Sequence, residues 1–128
     1  MEFINSSAAK VAKLPFSQAV RVGDILYLSG ALGNLPGTLE LVRGGIEAET
    51  RQTMDNIGAV LKENGLTFAA IFKCTVMLAD MANWPAFNRI YLDYFDPDRL
   101  PARSAFGANG LALGAQLELE CMAYMPRR

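Results

Sequence analysis

The chain has 128 residues, 52% of them hydrophobic, and a formal net charge of −1 at pH 7. This length predicts one domain, residues 1–128, with a single hydrophobic core. The composition argues against disorder, and the near-neutral charge argues against a nucleic-acid-binding protein, which would carry a basic surface. The sequence contains no histidine, which excludes Ser-His-Asp and Cys-His machinery, HExxH zinc sites and histidine-based ribonuclease chemistry within the chain.

The first 15 residues lack the apolar segment of a signal peptide and the arginine-rich pattern of a transit peptide, and no segment has the length of a membrane span. We therefore expect a cytoplasmic protein that does not enter a membrane. The two cysteines, Cys74 and Cys121, lie far apart in apolar alternating segments and form no CxxC motif. This spacing argues against a disulfide framework or a zinc site and predicts two small core residues.

Segments 17–22 and 25–29 have the composition of short β-strands, and the Gly-Asp dipeptide between them predicts an antiparallel hairpin. A loop rich in glycine and proline follows. From residue 46 to residue 61, apolar and semi-apolar positions recur every three or four residues, which predicts an amphipathic helix. The Asn-Gly pair at 64–65 predicts its end.

Residues 71–78 are predicted to form an apolar strand. The next helix is predicted to begin at a cap provided by Asn83 and to end before Pro97, because the residue that precedes a proline avoids the helical conformation. Its largely aromatic stripe predicts a face buried in the core, and consists of Phe87, Ile90, Tyr91, Tyr94 and Phe95. Segment 101–107 is interpreted as a buried strand. The alternation of residues 116–124 predicts the last strand.

This order of elements predicts an α+β fold, in which a mixed β-sheet packs two α-helices on one face. The last strand directs one set of side chains, Leu117, Leu119, Cys121 and Ala123, to one side. The other set consists of Gln116, Glu118, Glu120, Met122 and Tyr124. The second set either faces solvent or contacts a partner subunit, and its Met and Tyr favour the partner.

Arg103 is a permanent cation within the apolar segment PARSAFG, residues 101–107. One explanation is that it reaches solvent or pairs with a nearby carboxylate of the chain. The other is that its planar guanidinium binds a carboxylate that arrives with a ligand. These residues alone leave both explanations open.

Six segments of the sequence resemble the YjgF/RidA family of reactive-intermediate imine deaminases, also labelled endoribonuclease L-PSP or translation inhibitor. They are PFSQAV (15–20), YLSG (27–30), RQTMDNI (51–57), FNRIYLDYF (87–95), PARSAF (101–106) and LELECMAY (117–124). The order and spacing match from about residue 15 to residue 124. The resemblance implies a chorismate-mutase-like α+β fold that assembles as a homotrimer, with three clefts at the subunit interfaces.

The resemblance also implies a hydrolase acting on C=N bonds, similar to 2-iminobutanoate/2-iminopropanoate deaminases. Such enzymes convert enamines and imines such as 2-aminoacrylate to 2-keto acids and ammonia, without cofactor or metal. The implied ligand is a small imine, enamine or keto acid that carries a carboxylate. Two alternatives stay open: a non-catalytic trimer that binds small carboxylates, and the endoribonuclease or translation inhibitor of the older label, against which the absent histidine counts.

The same motifs imply the site residues. PARS places Arg103 at the family's carboxylate-binding arginine, and LELE places Glu120 at the acid that orients or activates the attacking water. YLSG places Ser29 and Gly30 at the wall of the cleft. Asn88 matches the family's helix asparagine. For Ser29 and Asn88 the alternative is a hydrogen bond that serves only the local structure.

Two positions of the predicted substrate-binding site depart from the family pattern. Phe16 stands where a tyrosine is frequent, so the ring is kept and the hydroxyl is lost. Ala105 stands where a cysteine is frequent. We expect both differences to alter the choice of substrate without removing the arginine or the carboxylate. Glu118 shares a strand face with Glu120 and is the next candidate for the base.

Overall fold

In the computed structural model, which describes residues 1–127, six strands form one mixed β-sheet. The strands are β1 (Glu2–Ile4), β2 (Ala19–Val22), β3 (Ile25–Leu28), β4 (Ile71–Leu78), β5 (Ala102–Gly107) and β6 (Leu117–Tyr124). Their order across the sheet is β1-β2-β3-β6-β4-β5, and all neighbours are antiparallel except the parallel pair β4 and β5. The predicted hairpin is β2–β3. Strand β1 was not predicted, because three residues are too few to show an alternating pattern.

The α-helices are α1 (Ser7–Ala12), α2 (Gly45–Glu63) and α3 (Trp84–Tyr91). The amphipathic pattern predicted α2, and its end is confirmed: Asn64 is the C-cap and Gly65 follows with a φ of +73°. Glycine adopts this left-handed conformation without steric cost. The short α1 was not predicted from the sequence.

Helix α3 differs from its prediction at both ends. Asn83 occupies the position before the helix, but its side chain makes no capping hydrogen bond. The side chain of Asp80 instead accepts a hydrogen bond of 2.9 Å from the backbone N–H of Ala82 and caps the preceding turn. At the other end, the chain tightens into a 3-10 turn over Leu92–Tyr94. The α-helix is therefore shorter than its aromatic stripe.

Side chains from α2, α3 and one face of the sheet form the hydrophobic core. Its largest fully buried members include Phe87, Leu26, Met54, Leu61, Leu78, Leu117, Leu119 and Val76. The predicted α+β arrangement, with two helices on one face of a mixed sheet, is confirmed. Cys74 and Cys121 also lie in this core, directly opposite each other on β4 and β6, as free thiols with 3.1 Å between their Sγ atoms.

We call the side of the sheet that α2 and α3 cover the helix face, and the other side the open face. Strand β6 alternates between them, with buried residues on the helix face and half-buried or exposed ones on the open face. The prediction that segment 101–107 is a buried strand is wrong. Strand β5 lies at the edge of the sheet, where Ser104 and Phe106 are exposed while Arg103 and Ala105 are half-buried. Among residues 1–127, no strand pairs with its second side.

Among the described residues, no helix combines the length and the apolar character that a membrane crossing requires.

Candidate active site

A groove with a volume of about 270 Å³ lies beside Glu118 on the open face. Its lining consists of Phe16, Ser29, Gly30, Leu32, Ala112 and Glu118. We call it the Glu118 groove. It brings together three residues that the sequence assigned to the substrate site: Phe16, Ser29 and Gly30. Its volume is just below the range of roughly 300–1,000 Å³ that drug-sized ligands occupy, so it suits a small metabolite.

The loop after β3 presses its backbone against the Glu118 side chain. A Cβ atom at Gly30 would overlap Oε2 of Glu118, so any other residue here would displace the carboxylate from its position. Ser29 is held by two hydrogen bonds: its hydroxyl donates to the carbonyl of Ser17, and its backbone N–H donates to the carbonyl of Gln18 at 2.9 Å. The Ser29 hydroxyl thus serves the local structure, although the residue lines the groove.

Helix α2 fixes the continuation of this loop. The side-chain amide of Asn56 donates to the carbonyls of Leu32 and Asn34 at 3.0 and 2.9 Å. Gly33 lies so close to α2 that a Cβ atom there would be only 2.7 Å from the carbonyl oxygen of Glu49. The wall of the Glu118 groove is therefore anchored to the longest helix, as a preorganised binding site requires.

Glu118 is the carboxylate that the groove contains. Burial and, after it, repulsion from the neighbouring charge of Glu120 raise the pKa of Glu118 above its ordinary value of 4.5. A carboxyl with a raised pKa is better suited to exchange protons near neutral pH. Glu120 lies on the same face but is exposed and does not line the groove. The geometry therefore favours Glu118 over Glu120 as the candidate base. The two residues are two positions apart on the same strand face, so the sequence alone could not distinguish them.

Arg103 lies on the helix face of β5, beside Cys74 of β4. Its Cζ atom is 4.9 Å from the ring centroid of Tyr91 and 5.8 Å from that of Phe87, both on α3. The ion pairs found among residues 1–127 are Arg51–Asp93 and Arg89–Glu47, and neither involves Arg103. Its guanidinium is therefore available to an external carboxylate.

Two further predicted residues lie on the same side of the sheet as Arg103. Ala105 is half-buried and points to the same side, two positions along β5. Asn88 is on α3, and its Oδ1 atom is buried without a hydrogen-bond donor among the described residues. The hydroxyl of Tyr91, three positions along the helix, is buried and unpartnered in the same way. Burial raises the pKa of Tyr91 well above its usual range, so the hydroxyl stays neutral.

The predicted site residues thus form two groups on opposite faces of the sheet. Arg103 is opposite Cys74 in the β4–β5 register, whereas Glu120 is opposite the next residue, Thr75, in the β4–β6 register. Successive residues of a strand point to opposite faces. The arginine group and the Glu118 groove therefore form no common cleft within one chain.

A larger groove of about 480 Å³ is lined by Thr67, Phe68, Ala69, Tyr94, Phe95, Asp96 and Arg99. None of the predicted site residues lines it. Within residues 1–127, no group of three or more His, Cys, Asp or Glu side chains is arranged to hold a metal ion. The two groups around Arg103 and Glu118 remain the candidate site.

The fold and these residues define a class of small α+β proteins with a half-buried arginine and a carboxylate on opposite faces of one sheet. Residues 6–125 match the sequence model of the family described as endoribonuclease L-PSP. The chain therefore belongs to this family, which is the YjgF/RidA family that its motifs resemble. The resemblance stated from the sequence is confirmed.

Named relatives extend this assignment. The chain is 38% identical over 122 residues to Reactive Intermediate Deaminase A, chloroplastic, of Arabidopsis thaliana. The match covers 95% of this chain and 65% of the plant protein. The chain thus spans just under two thirds of that relative. It is 40% identical over 120 residues to the 2-iminobutanoate/2-iminopropanoate deaminase of Capra hircus, covering 94% and 87% of the two chains.

Solved structures confirm the fold. The crystal structure of RidA from an Antarctic Psychrobacter bacterium superposes with a TM-score of 0.88 at 32% sequence identity. The match covers 98% of this chain and 100% of that one. The sheet and helices of this chain are therefore arranged as in that structure along nearly the whole chain.

Proposed function

We propose that the protein hydrolyses small imines and enamines that carry a carboxylate, releasing 2-keto acids and ammonia. The observation that carries this proposal is Arg103, which has no ion-pair partner among residues 1–127 and offers its fork of N–H donors to a ligand carboxylate. The names of the plant and goat relatives, both deaminases, support the reaction. The small volume of the Glu118 groove supports a substrate of a few carbon atoms.

The proposed reaction needs one water molecule and one group that carries a proton. Arg103 holds the substrate carboxylate through two parallel hydrogen bonds, which fixes the plane of the C=N bond. The ionised Glu118 carboxylate takes a proton from water while the water oxygen attacks the carbon of the protonated imine. Glu118 returns this proton to the nitrogen of the carbinolamine. The C–N bond then breaks, the hydroxyl proton goes to the departing ammonia, and the keto acid remains.

An enamine enters the same sequence after one step. Protonation of its terminal carbon converts 2-aminoacrylate into the protonated imine of pyruvate. Water attack then proceeds as for any imine. Phe16 and Ala105 supply only a ring and a methyl group, so this substrate site offers fewer polar contacts than one with tyrosine and cysteine at these positions. We expect a preference for imines with apolar side chains.

Assembly would unite the two groups of site residues. We propose a homotrimer in which each cleft combines Arg103 of one copy with the Glu118 groove of its neighbour. The open face supports this proposal, because Tyr27, Phe106 and Tyr124 leave 42%, 48% and 51% of their surface exposed in the single chain. Exposed apolar surface of this kind marks interfaces. A stable monomer in light scattering at micromolar concentration would contradict the trimer.

Two other functions are weighed against this one. A non-catalytic carboxylate-binding protein would use Arg103 equally well, but it has little use for a carboxylate with a raised pKa in the same cleft. A ribonuclease is favoured only by the description that the family carries. A cytoplasmic location also belongs to this proposal, although the name of the plant relative shows that location varies among relatives.

An assay coupled to an amino-acid oxidase tests the function. The oxidase produces imines from a panel of amino acids, and the rate of keto-acid formation is compared with and without the protein. We expect acceleration by the wild-type chain and none by the Arg103→Ala variant. Keto-acid affinity should fall by roughly thirtyfold to several thousandfold, since a charge-assisted pair in a sheltered site is lost.

The melting temperature separates a ligand role of Arg103 from a structural one. It should change little in Arg103→Ala, because no carboxylate among residues 1–127 loses its partner. The matched control is Arg89→Ala, which removes an exposed ion pair of 2.8 Å to Glu47 and should preserve both hydrolysis and binding. A large fall in melting temperature with binding intact would contradict the ligand role. Pyruvate binding without acceleration for any imine would identify a non-catalytic binder.

A further inference from the structure

Arg103 rests on aromatic rings where a carboxylate would be the usual partner. The ring centroids of Phe87 and Tyr91 are 5.4 Å apart with 33° between their planes, and the guanidinium carbon lies within 5.8 Å of both. The two rings are 0% and 3% exposed, whereas Arg103 is only half-buried. The rings therefore form a buried support beneath a cation that still reaches the surface. We call them the aromatic platform.

A further ring holds this platform in place. Phe95 packs against Tyr91 with 4.7 Å between the centroids, and Phe68 packs against Phe95 at 5.6 Å in an edge-on arrangement. The stripe that the sequence assigned to the core is thus a chain of ring contacts that leads to Arg103. Buried rings in contact with other rings have little rotational freedom.

We infer that Phe87 and Tyr91 are positioning residues, whose rings hold the Arg103 guanidinium so that its N–H fork stays free for the substrate carboxylate. This inference rests on the proposed function. The negative faces of aromatic rings attract a guanidinium, but they do not use the donors at its edge as a carboxylate does. An internal carboxylate would occupy the fork and cancel the charge that the substrate needs.

The platform also explains why the cation is an arginine. A lysine ammonium is a compact, strongly hydrated charge, whereas the planar guanidinium can stack on a ring and present two parallel donors at the same time. Holding the side chain before the substrate arrives lowers the ordering cost of binding. We therefore expect the platform to act on substrate affinity and to leave the chemical step at the imine carbon unchanged.

Two substitutions separate the ring of Tyr91 from its hydroxyl. Tyr91→Phe keeps the ring and removes a hydroxyl that has no hydrogen-bond partner among the described residues, so pyruvate affinity and KM should stay near the wild-type values. Tyr91→Leu removes the ring, and KM and the pyruvate Kd should both rise roughly three- to thirtyfold with kcat nearly unchanged. Equal losses in both variants would assign the effect to the hydroxyl and overturn the platform.

A fluorinated ring at position 91 tests the platform while the core stays filled, because its shape is similar and the charge distribution of its face is opposite. Replacing Tyr91 by pentafluorophenylalanine reverses the charge distribution of the ring face, so pyruvate should bind as weakly as it does to Tyr91→Leu. Phe3→Leu is the control, because its ring lies on β1, at the opposite edge of the sheet from β5. This control should keep wild-type affinity. Binding by the fluorinated variant as tight as that of Tyr91→Phe would overturn the inference.

Nuclear magnetic resonance tests the platform without any ligand. Stacked rings should shift the Hδ and Hε resonances of Arg103 upfield by ring currents in the wild type and in Tyr91→Phe, and this shift should be lost in Tyr91→Leu. If the wild type shows this upfield shift but neither hydrolyses imines nor binds pyruvate, the proposed function is overturned and the stacking is established. If the wild type hydrolyses imines but shows no upfield shift of the Arg103 resonances, the platform is overturned and the function is established.

Discussion

The two faces of the sheet use the same strands for different purposes. On the helix face, Leu117 and Leu119 of β6 are fully buried beneath α2 and α3. On the open face, the intervening Glu118 is half-buried and Glu120 is exposed. Alternation along a single strand thus supplies the core with leucine and the surface with carboxylates.

The position of Arg103 shows the limit of this division. It lies on the helix face, where the buried strand residues are apolar, yet no carboxylate among residues 1–127 forms an ion pair with it. It avoids full burial because β5 is the edge strand, and it gains attraction from the rings of Phe87 and Tyr91. The helix face therefore ends in a half-buried cation at the edge of the sheet.

The largest effect is expected from the open-face carboxylates. Glu118→Gln keeps the size of the side chain but removes the proton acceptor, so kcat for imine hydrolysis should fall by roughly a hundredfold or more. Pyruvate affinity should be retained, because the proposed partner of its carboxylate is Arg103, which this substitution leaves in place. Steady-state kinetics and titration with pyruvate on the same sample measure both quantities.

Glu120→Gln is the matched control for this substitution. Glu120 shares the strand and the face with Glu118 but is exposed and outside the groove. Its substitution should therefore change kcat by less than about threefold, in line with an indirect electrostatic effect. The opposite order of effects would restore the assignment of Glu120 as the base, which the sequence motif alone suggested.

A mixing experiment tests whether the two faces meet only between copies. Arg103→Ala and Glu118→Gln chains are each expected to retain no more than about a hundredth of the wild-type activity. After subunit exchange at equal concentrations, about one quarter of the interfaces should combine an intact Arg103 with an intact Glu118, restoring about a quarter of the wild-type activity. A cleft within one chain would give no recovery. Each variant mixed with itself is the control.

Much of the fold follows from local patterns. The spacing of apolar residues predicted α2, and the alternation of β6 predicted which of its residues are buried. Strand β5 was misjudged because its small and apolar residues resemble those of a central strand, and only the pairing of the whole sheet shows that it is an edge. The composition of a strand therefore does not show whether the strand lies at the centre or at the edge of a sheet.

The site was harder to predict for a similar reason. The motifs indicated Arg103 and a glutamate of β6, but the choice between Glu118 and Glu120 depends on a loop that follows a different strand. The aromatic platform was hidden as well, because Phe87 and Tyr91 fit an ordinary core stripe in the sequence. Neither feature is local in the chain, since each depends on contacts between distant segments.

The smallest expected effect concerns stability and pH. Burial and the charge of Glu120 raise the pKa of Glu118 above 4.5, so the folded protein binds this proton more tightly than the unfolded chain does. Below the unfolded pKa the carboxyl is neutral in both states and its stabilising contribution is complete. That contribution is lost as the pH rises through the raised pKa, because the folded state then carries a poorly solvated charge.

Glu118→Gln has no such charge, so it should melt at a higher temperature than the wild type at neutral pH, by on the order of a few degrees. The difference should shrink towards zero when the pH falls below about 4. Glu40→Gln, at an exposed loop position, is the control and should show no comparable dependence. Melting curves of the three proteins at equal concentration, from acid to neutral pH, measure the effect. A Glu118→Gln variant that melts lower than the wild type at neutral pH would mean that the groove stabilises the ionised carboxylate, and the raised pKa would then be wrong.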